Sequence, residues 1–88
     1  MIKKEFEIFN KVGLHARPAA LFVQTASKFK SEISIEKGNK TVNGKSIMGV
    51  MTLGASYGDK VTIIIDGPDE NEAIEVIEEF FNEKLKNL

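Results

Sequence analysis

The sequence holds no cysteine and no tryptophan, only two prolines, and a single histidine. The missing cysteine excludes a disulfide scaffold, a thiolate metal site and thiol catalysis. With one histidine and no thiol, most transition-metal sites lack ligands, so no metal is expected. Neither sign of charge dominates: 12 basic against 13 acidic residues leave a net charge of -1. A nucleic-acid binder usually shows a basic excess clustered on one face, so no nucleic-acid partner is expected. No apolar run approaches the ~20 residues of a membrane helix. No apolar stretch follows Met1-Ile2-Lys3-Lys4-Glu5, so neither a secretory leader nor membrane insertion is expected. The chain reads as cytoplasmic.

What is present is an ordinary globular composition, 42% hydrophobic over 88 residues. That suits one small domain, residues 1–88, without linkers or repeats. A domain of this size buries a limited fraction of its surface, so any chemistry should sit on the outside.

Hydrophobic periodicity divides the chain. Ile2, Phe6 and Ile8 share one parity, and a strand is expected over residues 2–9. From 16 to about 29 the period becomes helical, with Ala19, Phe22, Val23, Ala26 and Phe29 on one face and Pro18 in the first turn. A short strand at 32–36 turns at Lys37-Gly38-Asn39, where Gly38 and Asn39 can take positive φ. A return strand follows at 40–43. Residues 45–53 read as a short helix, with Ser46 as its N-cap and Gly54 as its stop. Residues 60–66 are a strong strand with Val61, Ile63 and Ile65 facing inward. The last helix opens on Asp69 with Glu72 three residues later, the spacing of a capping box. Ala73, Ile74, Ile77, Phe81 and Leu85 supply its buried face. The order β-α-β-β-α-β-α suits an α+β fold with helices covering one face of a single sheet.

The segment with chemical promise is Gly13-Leu14-His15-Ala16-Arg17-Pro18-Ala19-Ala20. A glycine-bearing loop passes into a helix, and the only histidine sits at the junction. Helix starts carry unpaired amides and a partial positive charge, which makes them anion sites. No Ser, Thr, Asp or Asn stands there to consume the amides of Ala16 and Arg17. Arg17 adds a guanidinium able to hold phosphate oxygens. Neutral imidazole offers a nucleophilic nitrogen near pH 7, and an exposed histidine permits in-line phosphoryl transfer. Taken residue by residue, a lone histidine at a helix start is more often structural or simply solvated.

The run Gly13 to Ala19 resembles the active-site signature of HPr, the histidine-containing phosphocarrier family of the bacterial phosphoenolpyruvate-dependent sugar phosphotransferase system. A second run, Asn43-Gly44-Lys45-Ser46-Ile47-Met48-Gly49-Val50-Met51, resembles the regulatory serine region of that family, in a Gram-positive-like form. The resemblance covers nearly the whole chain. It implies an open-faced β-sandwich, with a four-stranded antiparallel sheet in order 1-4-2-3 and three helices on one face. It implies that His15 receives phosphate from phosphorylated enzyme I, carries it on Nδ1 with support from Arg17, and gives it to the IIA domains of sugar permeases. Such a carrier holds a covalent phosphohistidine without being a turnover enzyme, and needs no cofactor. Ser46 is the implied target of HPr kinase/phosphorylase, and its phosphoform the implied partner of catabolite control protein A.

Ile47, Met48 and Met51 lie close together on the short helix, and one short helix cannot bury every side. Flexible methionines suit a surface that meets several partners. The family places its shared partner interface there, on Ala20, Lys45, Ile47, Met48 and Met51. Arg17, Lys28 and Lys45 would steer acidic partners toward it. A monomer would leave this surface open. Two alternatives remain at this stage: a regulatory, phosphoserine-dependent corepressor-type protein, and a nitrogen-branch phosphocarrier.

Overall fold

The computed structural model describes residues 1–88. The chain runs β1 (Ile2–Glu7), α1 (Arg17–Ala26), β2 (Glu32–Lys37), β3 (Lys40–Asn43), α2 (Ile47–Thr52), β4 (Lys60–Asp66) and α3 (Glu70–Glu79). The strands form one antiparallel sheet in the order β1-β4-β2-β3. This is the expected open-faced sandwich. The period-2 pattern works across the register: Phe6 lies opposite Val61, and Ile33 and Ile35 lie opposite Ile65 and Ile63. All six of these side chains are buried in the core shared with the helices. The other sheet face carries Lys3, Glu5 and Thr62.

Phe22 of α1 sits at the centre of this core. Its ring lies 5.6 Å from that of Phe80, edge to face, and 5.9 Å from that of Phe81. Phe81 in turn stacks on Phe6 at 4.6 Å. Phe80 is absent from the inward set named above, yet it is only 1% exposed, three residues after Ile77 and seven after Ala73 on the same helical face, while Ile74 is only half-buried. Beyond Phe80 the winding widens. Residues Phe80–Lys84 form a π-helical turn, and the Leu85 N–H donates to the Phe80 carbonyl five residues back. Phe81, in this turn, is buried beside Phe80.

Three other expectations are corrected. α1 ends at Ala26 rather than near Phe29, because the chain tightens into three-residue turns: Lys28 N–H donates to Thr25 O and Phe29 N–H to Ala26 O. In the hairpin turn only Gly38 takes positive φ, at 60°, and Asn39 does not. The capping box does not form. The Asp69 side chain makes no cap bond to α3. It reaches back across the fold, accepting from Lys30 N–H at 2.8 Å, from Ser31 N–H at 3.0 Å and from the Ser31 hydroxyl.

This clasp ties the α1–β2 connection to the start of α3. The Ser31 hydroxyl and the two amides favour the carboxylate and hold Asp69 at about 2, below its usual 3.8. A depressed folded value stabilises the fold above the unfolded value and loses that contribution as pH falls through the folded one. Stability should therefore decline between about pH 4 and pH 2. In urea unfolding across this range, Asp69→Asn should flatten the decline and lower stability at neutral pH. An unchanged slope in the variant would show that the clasp is not its source.

Candidate functional site

The site begins where the chain leaves β1. Two loops, residues 8–14 and 54–59, are laced together by main-chain bonds. Ile8 N–H donates to Asp59 O at 2.8 Å, Gly58 N–H to Ile8 O at 2.8 Å and Leu14 N–H to Ala55 O at 2.9 Å. Gly13 makes the approach possible. It takes φ 66°, and a Cβ there would collide with the Ala55 carbonyl. Asn10 closes the turn from the other side, its Nδ2 donating to Gly13 O at 3.0 Å. With Leu14 thus pinned in the core, the chain turns outward at His15, which is exposed.

Ala16 follows with φ 53° and ψ -119°, the one non-glycine residue at positive φ. These angles match the first central position of a type II′ turn, normally held by glycine. A Cβ there costs about 1–3 kcal/mol. The outcome is a helix start without a cap. No side chain caps α1, and Pro18 brings no N–H. The Ala16 and Arg17 amides find no acceptor within the chain, while the Ala16 carbonyl receives Ala20 N–H at 3.1 Å. Around them lies a shallow recess of about 350 Å³, lined by Val12, His15, Ala16, Arg17, Pro18, Asn87 and Leu88. The structure therefore brings His15, Ala16 and Arg17 to one recess, with no acidic side chain on its wall. The walls formed by Val12, Asn87 and Leu88 carry no local sequence signal, since they arrive by tertiary packing.

The strain can be measured. Ala16→Gly removes the offending Cβ and should stabilise the protein by about 1 kcal/mol, the strain relief exceeding the extra unfolded-state entropy. Denaturant midpoints decide it. A glycine variant less stable than the parent would show that Ala16 sits there without strain.

The second helix start has the opposite character. Ser46 is extended (φ -111°, ψ 115°) and its Oγ accepts from Gly49 N–H, at 3.1 Å. It is the N-cap the sequence suggests, and α2 proper spans Ile47–Thr52 rather than 45–53. Gly49 has a packing reason. A Cβ at this position would stand 3.3 Å from Ser46 Oγ and 3.5 Å from Asn43 O. α1 and α2 pack together. Ile47 and Met48 are exposed, at 43% and 73%, whereas Met51 is half-buried against the core. Ala20 is half-buried as well. Lys45 Nζ donates to Phe29 O at 2.6 Å, tying the turn after α1 to the start of α2.

Fold and site together define a small open-faced sandwich that presents one histidine at an uncapped, strained helix start. The sequence pattern described as "PTS HPr component phosphorylation site" matches residues 2–83. The chain is 51% identical to the HPr-like protein Crh of Halalkalibacterium halodurans, over 96% of this chain and all of that one. It is 44% identical to the phosphocarrier protein HPr of Treponema pallidum, over 98% of each. The crystal structure of HPr-C-His from Thermoanaerobacter tengcongensis superposes with a TM-score of 0.93 at 56% identity, covering 97% of this chain and 96% of that one. A structure of an HPr dimer from the same organism superposes with a TM-score of 0.77 over 97% of this chain and 98% of that one. The chain belongs to the HPr family of the phosphotransferase system.

Proposed function

We propose that the protein carries phosphate on His15, taking it from phosphorylated enzyme I and giving it to IIA domains of sugar permeases in the cytoplasm. The observation that carries this reading is the exposed imidazole beside the unpaired Ala16 and Arg17 amides in one recess. When His15 is charged, its ring nitrogen attacks phosphorus in line and the N–P bond forms as the donor's bond to phosphorus breaks; on delivery the acceptor attacks, the His15 N–P bond breaks and the His15 imidazole leaves. The two amides and the Arg17 guanidinium receive the phosphate oxygens, which are the charged part of the transition state. Nothing in this scheme requires a metal or an internal cavity. Ala20, Lys45, Ile47, Met48 and Met51 form the docking surface beside the recess. A monomer leaves that surface open to both donor and acceptor.

Regulation is assigned to Ser46. Phosphorylation by HPr kinase/phosphorylase would add roughly -1.5 to -2 charges at the start of α2, next to the exposed Ile47 and Met48. A helix start tolerates that charge, so the effect falls on acidic partners that approach His15. The similarity to Crh favours a second role for the Ser46 phosphoform, as a corepressor with catabolite control protein A.

The test of the carrier reading is incubation with enzyme I and labelled phosphoenolpyruvate. The protein should take up one acid-labile phosphate and release it to a IIA domain. Failure to take up label would overturn the reading.

A further inference from the structure

A second groove adjoins the His15 recess and shares two of its walls, Asn87 and Leu88. It runs between α1 and the turns after α3, has a volume of about 400 Å³, and is lined by Leu21, Gln24, Thr25, Lys28, Phe80, Lys84, Asn87 and Leu88. Leu21 and Leu88 give it an apolar lining above the buried Phe80 ring, and Lys28 and Lys84 line it as well. No acidic side chain lines either hollow, although acidic residues outnumber basic ones in the chain as a whole. Lys28 has no ion-pair partner. Lys84 meets only Glu79, at 3.8 Å, with both side chains about 60% exposed, a pair loose enough to exchange for another carboxylate.

We infer that this groove is a second anchor for the protein that docks at His15, and that it takes an acidic segment carrying one or two apolar side chains. This deepens the carrier reading and rests on it. Three features select a polypeptide segment. The groove continues directly from the phosphate recess, so a partner covering His15 lies over its mouth. Its charge is complementary to acidic residues. Its apolar lining, without a ring of convergent amides, suits side chains better than a small phosphorylated anion. Arg17, Lys28 and Lys84 then form a cationic series from the reacting histidine outward. The outer two set how often a partner is captured and leave the chemical step alone.

Two measurements on the full chain test this. The first compares enzyme I-dependent phosphorylation of the parent, of Lys28→Gln/Lys84→Gln, and of Lys3→Gln/Lys60→Gln, which makes the same charge change on exposed lysines of the sheet. The groove variant should raise KM about fivefold to tenfold with kcat unchanged, and the effect should shrink with salt. The sheet variant should leave KM in place. Equal KM for parent and groove variant, or an equal rise in the sheet variant, overturns the inference while leaving the carrier reading intact. No phosphorylation of the parent overturns both. The second measurement follows backbone amide shifts on titration with enzyme I. Shifts at Lys84 and Asn87, beyond those on α1 and α2, support the anchor, and their absence refutes it. The same shifts produced by phosphoenolpyruvate alone would assign the groove to a small anion and refute the polypeptide occupant.

Discussion

Replacing His15 with alanine is expected to abolish acid-labile phosphate uptake from enzyme I and phosphoenolpyruvate, with stability held within about 0.5 kcal/mol of the parent. The two halves of this result have separate causes. His15 lies outside the buried core, so its side chain contributes little to folding. Chemically nothing replaces it. Arg17 is the other titratable side chain on the recess wall, and a guanidinium stays protonated and has no lone pair to offer. Ser46 is held at a different helix start, with its Oγ accepting from Gly49 N–H, and a phosphoserine formed there would be acid-stable. Arg17→Ala should behave differently. It leaves the nucleophile and the two amides in place, so transfer slows without ceasing. Acid-labile label persisting in the His15→Ala protein would assign the carrier role to another residue.

The contrast between the two helix starts explains how much of the molecule was legible in its sequence. Local signals were sufficient where one segment decides its own structure. The alternation at 60–66 yields β4 with the expected inward set Val61, Ile63 and Ile65. Ser46 caps α2 because its hydroxyl needs only the amide three residues on. Signals failed where distant segments compete for the same group. Asp69 has capping-box spacing, but Lys30 and Ser31 offer three donors from across the fold and take its carboxylate. Phe80 was legible too, three residues after Ile77 and seven after Ala73 on the face that α3 buries, although the inward set named from the sequence passes over it. At the site, His15 and Arg17 stood out through the motif. The strained Ala16 backbone and the tertiary walls Val12, Asn87 and Leu88 did not. Nothing in an alanine announces positive φ. That conformation is imposed by Leu14, anchored in the core on one side, and by α1 on the other.

The same dependence of the site on the core underlies the largest expected loss of stability. Phe22→Ala should destabilise the protein by about 3–5 kcal/mol. Phe22 is fully buried, its ring meets Phe80 and Phe81, and its Cε2 lies 3.3 Å from where a Cβ on Gly44 would stand. It therefore joins α1, the turns after α3 and the approach to α2 at one point. Collapse cannot fill the space cheaply, because the Gly44 backbone is fixed by its N–H bond to Ile33 O at 2.7 Å. Small domains carry only about 0.05–0.15 kcal/mol of net stability per residue, so this one truncation removes a large share of the total. Phe22→Leu, which keeps most of the volume, should cost about 1–2 kcal/mol. Phe9→Ala, at an exposed ring, should cost no more than about 0.5 kcal/mol. Urea unfolding of the three variants gives the order directly, and a Phe22→Ala loss below that of Phe22→Leu would refute the assignment of Phe22 as the central core residue. Because α1 is seated through this ring, the alanine variant should also lose phosphate uptake on warming well before the parent does, as the helix start that holds the phosphate loses its support.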